Sequence, residues 1–140
     1  MLVKELMNKR VITISPDDFL VDAIRKMSDN NIGCLIVTKN DKAIGILTER
    51  DVVNCLAQKN NNYKQTIDET KVSDIMTRYI ISVSPNTKIE NAIKVIKENK
   101  IKKLPVLDDS TKIVGIITIT DICLAEPKII EKLLEFISKE

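Results

Sequence analysis

A chain of 140 residues, 44% apolar and 30% charged, has the length and composition of one compact body with a well-solvated surface. Its net charge is only +2 and its lysines are interspersed with acids, which excludes an electrostatic footprint for nucleic acid. No stretch approaches the roughly 20 apolar residues that span a bilayer, and Lys4, Glu5, Lys9 and Arg10 interrupt any signal-peptide core; a cytoplasmic chain without membrane contact is expected.

Taken in order, Val11–Ile14 is a short β-branched run that predicts a strand. Ser15 and Pro16 then read as the N-cap and first position of a helix, with Asp17 and Asp18 in its first turn. Phe19, Leu20, Ala23, Ile24 and Met27 give that helix one apolar face, and it should stop near Asn30-Asn31. Cys34–Thr38 and Ala43–Leu47 predict a strand pair around a turn at Lys39–Lys42, and a helix runs from Thr48 to about Gln58. Asn60-Asn61-Asn62 is a polar break, so residues 59–71 are expected to be a linker. The plan then repeats: a strand at Ile80–Val83, a helix start at Ser84-Pro85, and a buried stripe of Ile89, Ala92, Ile93 and Ile96. Strands follow at Leu104–Leu107 and Ile113–Ile117, and a helix opens at Thr118. After Pro127, Ile129-Ile130, Leu133-Leu134 and Ile137 predict a terminal amphipathic helix over 126–140, expected to dock on its own body.

The second half thus echoes the first. Val3–Met7 returns as Val72–Met76 and Ser15-Pro16 as Ser84-Pro85, at an offset of 69; Gly45–Asp51 returns as Gly115–Asp121 at an offset of 70. The one inserted residue is expected in the Asp108–Lys112 turn. Two halves this small bury little apolar surface alone, so packing about a pseudo-twofold axis with a shared cleft is the expected source of stability.

Catalysis has little to work with. There is no histidine, so the commonest general base and nitrogen metal ligand are missing, and three glycines form no phosphate loop. Cys34, Cys55 and Cys123 are odd in number and widely spaced, as small buried hydrophobes of a reducing cytosol would be. The strongest local signal is the duplicated Gly-Ile-(Leu/Ile)-Thr-x-x-Asp. Thr48 with Asp51, and Thr118 with Asp121, can form capping boxes at a strand-to-helix junction. The same hydroxyl, carboxylate and open amides also suit ribose and phosphate. Arg50 offers the first junction a bidentate phosphate contact; the second has Ile119-Thr120 after Thr118, with Lys102 and Lys103 as replacement cations. Two unequal sites are expected, with the Arg50 junction favoured for a phosphorylated ligand.

At this point the residues resemble a family. The two leaders (Val3–Met7 and Val72–Met76), the segments Ile32–Val37 and Ile101–Val106, and the paired Gly-Ile-x-Thr-x-x-Asp segments are similar to a tandem pair of cystathionine β-synthase (CBS) domains, or Bateman module, over about Val3–Ala125. The resemblance implies an α/β fold of two pseudo-twofold-related β-α-β-β-α units packed through their sheets: domain one at 1–58, domain two at 72–125. It implies a non-catalytic regulatory module that binds an adenosine-containing ligand (AMP, ADP, ATP, NAD or S-adenosylmethionine) in the cleft and signals to a partner protein. It also implies a homodimer, for which Val52–Leu56 and Ile122–Leu124 are candidate surfaces. By position, Thr13 or Ser82 lies against the base, Gly33-Cys34 and Lys102-Lys103 line the pocket, Asp51 and Asp121 hold ribose, and Thr48, Thr118 and Thr120 lie near phosphate. Pro105, where the first copy has Ile36, alters one pocket wall. The alternative is a purely structural interaction module with no ligand.

Overall fold

The computed structural model describes residues 1–58, 62–131, 133 and 134. Its elements in chain order are α1 (Val3–Leu6), β1 (Thr13–Ile14), α2 (Leu20–Asn30), β2 (Cys34–Lys39), β3 (Lys42–Thr48), α3 (Glu49–Gln58), α4 (Tyr63–Glu69), α5 (Val72–Ile75), α6 (Ile89–Asn99), β4 (Lys103–Leu107), β5 (Ile113–Thr118) and α7 (Ile119–Ala125), followed by a 3-10 turn at Pro127–Ile129. The chain is mixed α/β, as expected, and divides into two compact bodies. Ile12–Ile80 forms one; Met1–Val11 joins the residues from Ile81 onward to form the other. The boundary of packing therefore differs from the boundary of the repeat.

In the Ile12–Ile80 body, β1 runs parallel to β2 and β2 antiparallel to β3. The hairpin turn is Asn40-Asp41, with φ of 54° and 65°, the two left-handed residues that match the strand twist of a two-residue loop. In the other body β4 and β5 form the equivalent hairpin, and Val83 bridges Val106 in parallel where Ile14 pairs with Val37. Both hairpins carry an irregularity at the same place, between Val37 and Thr38 and between Val106 and Leu107. The inserted residue lies in the Asp108–Lys112 turn, as the offset predicts. There Asp108 Oδ1 accepts the amides of Ser110 and Lys112, each at 2.9 Å.

Each body has its own core. One gathers Leu20, Ala23 and Met27 of α2 against Leu35, Val37 and Leu47 of the hairpin. The other gathers Ile89, Ala92, Ile93 and Ile96 of α6 against Leu104, Val106 and Ile117. The helical stripes read from the sequence are these faces, except that Phe19 stands 38% exposed just before α2. Leu133 is buried in the second core, so the start of the terminal segment docks on its own body; Ile137 lies outside the described residues.

Three expectations need correction. The Ser15-Pro16 and Ser84-Pro85 pairs do not start helices; both lie in turns, and α2 and α6 begin at Leu20 and Ile89. The reason is tertiary. The turn's carbonyls are taken by the leader of the other repeat: Ser73 N donates to Pro16 O at 3.0 Å and Val72 N to Asp18 O at 2.8 Å. Lys4 N donates likewise to Pro85 O at 2.9 Å and Val3 N to Thr87 O at 2.8 Å. The strand expected at Val11–Ile14 shrinks to Thr13–Ile14, and the one at Ile80–Val83 to the single bridge of Val83. Finally, the 59–71 segment contains a helix, α4, capped by Asn62 Oδ1, which accepts from Gln65 N at 3.0 Å.

Candidate strand-to-helix junction sites

Each repeat's chemistry gathers where the second hairpin strand gives way to a helix. At the first junction Thr48 N donates to Asp51 Oδ2 at 2.9 Å and Asp51 N to Thr48 Oγ1 at 3.2 Å. At the second, Thr118 N donates to Asp121 Oδ2 at 3.0 Å and Asp121 N to Thr118 Oγ1 at 3.1 Å. Both are complete capping boxes: the sharp exit from strand to helix leaves amides that the hydroxyl and carboxylate satisfy. Both aspartates stay half-buried, so each carboxylate is held in one orientation at the surface.

The junctions then diverge. Thr77, one residue past the leader of the second repeat, donates its hydroxyl to Asp51 at 3.3 and 3.4 Å from the two oxygens. The aligned residue of the first leader is Asn8, whose Oδ1 accepts from Arg10 N instead. Sequence reasoning missed Thr77, because its contact spans 26 residues and no local pattern announces it.

At the second junction the fold brings together Lys102, Lys103, Thr118 and Thr120, with Ile119, around a hollow of about 340 Å³. Ile119 N donates to the Lys102 carbonyl at 2.9 Å, which ties the start of α7 to the start of β4. Two lysines and two threonines line this hollow, residue types whose side chains can serve as phosphate donors. Pro105 is buried in β4, opposite Ile116, and its carbonyl accepts from Val83 N at 3.1 Å. Ser82, half-buried, is the residue before that contact.

At the first junction the equivalent bond runs from Glu49 N to the Gly33 carbonyl at 3.0 Å. Gly33 borders a hollow of about 430 Å³ lined by Ile24, Met27, Ile32, Glu49 and Val52 among others. Cys34 is buried in β2 opposite Thr48, and Thr13 in β1 faces Ile36 while its carbonyl accepts from Lys26 Nζ at 2.7 Å. Arg50 is exposed on the first turn of α3 and does not line the hollow beside Gly33. A larger hollow of about 650 Å³, bordered by Cys55, Gln65, Glu69 and Asp74, shares no residue with either junction. It depends on α4, which supplies Gln65, Thr66 and Glu69 to its wall.

The helical faces proposed for self-association are partly consumed by the cores. Val52, Cys55 and Ile122 are buried within their own bodies, whereas Val53 (62%) and Leu124 (79%) remain exposed.

Comparison with known proteins is consistent with this geometry. The CBS domain model matches residues 3–58 and 72–128. A protein of Methanopyrus kandleri, MK0525, is 35% identical over 98% of this chain and 68% of its own length. Inosine-5'-monophosphate dehydrogenase of Methanocaldococcus jannaschii is 37% identical over 84% of this chain, which spans only 22% of that enzyme. Among solved structures, the CBS domain protein NE2398 is 36% identical with a TM-score of 0.77, covering 89% of this chain and 96% of its own. The CBS domain pair of protein MJ0100, in complex with 5'-methylthioadenosine and S-adenosyl-L-methionine, is 27% identical with a TM-score of 0.76, covering 89% and 94%.

Proposed function

Since this chain belongs to the CBS domain family and carries the domain twice, we propose that it is a regulatory module that binds adenosine-containing ligands at its strand-to-helix junctions. Occupancy is relayed to a partner protein, and the module does no chemistry of its own. The observation that carries the reading is the second junction, where Lys102, Lys103, Thr118 and Thr120 line one hollow and Thr118 donates its amide to the Asp121 carboxylate. Lysines and hydroxyls suit the phosphate, and the carboxylate suits the two ribose hydroxyls. The adenosine compounds bound by the MJ0100 domain pair support the ligand class. The small share that this chain takes of inosine-5'-monophosphate dehydrogenase supports a regulatory role over a catalytic one.

The test is thermal melting of the full chain with adenosine, AMP, ADP, ATP, NAD and S-adenosylmethionine. A ligand at about 100 times its dissociation constant stabilises by about 2.7 kcal/mol, a shift of several degrees for a chain this size. No shift with any of the six at millimolar concentration overturns the reading. One observation favours the rival, a structural module without ligand: both Thr-x-x-Asp motifs are already satisfied as caps. Self-association belongs to the proposal as well, through a surface that includes the exposed Val53 and Leu124. Light scattering of the chain and of the Leu124→Lys variant checks it; equal monomer masses for both remove that part.

A further inference from the structure

The residue that follows each leader is held in the same way at both junctions, and its side chain does something different at each. Thr77 exchanges both backbone bonds with Ile46, two residues before Thr48: Thr77 N donates to the Ile46 carbonyl and Ile46 N to the Thr77 carbonyl, each at 2.9 Å. Asn8 does the same with Ile116, two residues before Thr118, at 2.8 and 2.9 Å. A closed backbone pair fixes where the side chain starts, so the residue type decides what the neighbouring carboxylate meets. The Thr77 hydroxyl lies 3.3 Å from Asp51 Oδ1 and 3.4 Å from Oδ2, one donor facing both oxygens. Asn8 instead turns its Oδ1 to the amide of Arg10, at 2.9 Å. Among the described residues, the Asp121 carboxylate accepts only the Thr118 amide. Both distances from Thr77 exceed the roughly 2.5–2.7 Å of a strong hydroxyl–carboxylate bond. Thr77 is also exposed, so a better-placed donor can displace it.

We propose that Thr77 sets the ribose affinity of the first junction by competing for Asp51. Its hydroxyl occupies the two carboxylate oxygens that a ribose diol would take, whereas Asp121 offers one oxygen that no protein donor meets. Two vicinal hydroxyls bind a carboxylate best when both of its oxygens are open. At the first junction a riboside therefore displaces the Thr77 hydroxyl and loses the worth of that bond; at the second it displaces only solvent. The inference rests on the ligand class proposed above. It adds which of the two carboxylates takes ribose more readily, and why.

The experiment is calorimetric titration of the full chain with adenosine, in the Asp121→Asn background that weakens the second junction and leaves the first to be read. Adding Thr77→Val keeps the side-chain shape and removes the hydroxyl. It is expected to raise adenosine affinity about two- to fivefold, the worth of one exposed hydrogen bond. Thr77→Ser keeps the hydroxyl and should leave the affinity as it is with threonine. The reverse graft is made in the Asp51→Asn background: Asn8→Thr should lower adenosine affinity by a similar factor, and Asn8→Val should not. No gain from Thr77→Val, the same gain from serine as from valine, or equal effects of Asn8→Thr and Asn8→Val would overturn the role of Thr77 and leave the ligand class standing. Failure of adenosine to bind the unmodified chain and every variant removes the ligand class, and this inference with it. Melting of each variant without ligand, expected within about 2 °C of its parent for a surface change this small, separates these outcomes from misfolding.

Discussion

Asp51 and Asp121 do structural work whether or not a ligand arrives, and that sets what their substitution can report. Each accepts the amide of the threonine three residues before it and donates its own amide to that hydroxyl. Asp51→Ala and Asp121→Ala are therefore expected to cost about 1 kcal/mol of stability each in denaturant titration, the usual loss of an N-cap partner. Asparagine at either position keeps an accepting oxygen and should cost less, so it is the cleaner probe of ribose binding. Glycine matters at two positions through close approach. A Cβ on Gly115 would meet Met7 Sδ at 2.5 Å, and one on Gly45 would meet Met76 Sδ at 2.8 Å and the Thr77 carbonyl at 3.0 Å. Gly115→Ala should destabilise by about 1–3 kcal/mol, as overpacking does, and an unchanged denaturation midpoint would refute the close approach. At this scale the motif Thr-x-x-Asp was legible in the sequence because a capping box is local. Glu49 over Gly33 and Thr77 on Asp51 were not, because both contacts join residues far apart in the chain.

Helix faces and strand pairs were legible because their apolar periods, 3.6 and 2, are written in consecutive residues. The short leaders and α4 were not. α1 and α5 are only four residues long, and α4 presents a single half-buried aliphatic, Ile67, between polar residues, so no period forms. Helix ends follow the same division. α2 stops at Asn31 and α6 at Lys100, both in the left-handed region with φ of 51° and 53°. Asparagine tolerates that conformation; lysine pays for it in steric strain. Lys100→Gly is accordingly expected to stabilise the chain by about 0.5–1 kcal/mol in denaturant titration. A loss would mean that the Lys100 side chain contributes packing that the backbone argument omits.

Over the whole molecule the main organising fact is the exchange of leaders. Val3, in the first repeat, is fully buried in the core built from Ile89, Ile96, Leu104 and Ile117, and Val72, in the second, is fully buried with Leu20, Leu35 and Leu47. The chain therefore passes between bodies twice, near Val11 and near Ile80. Val3→Ala should destabilise by about 2 kcal/mol and, in native-state hydrogen exchange, weaken protection first in residues from Ile81 onward. Val72→Ala should do the reverse and open Ile12–Ile80 first. If each variant instead loosened its own repeat, the exchange would be refuted.

By itself the sequence determined the α/β class, the duplication with its single inserted residue, the two hairpins, the amphipathic faces of α2 and α6, and the paired capping motifs, because each is encoded within a window of a few residues. Only the tertiary structure decided that Ser-Pro makes a turn instead of a helix start, that leaders serve the opposite repeat's core, and that the cations and hydroxyls of the second junction share a hollow. The first two outcomes depend on backbone carbonyls and buried surface supplied from about 54 to 84 residues away, and the third on residues 15 to 18 apart, where no local period carries the information.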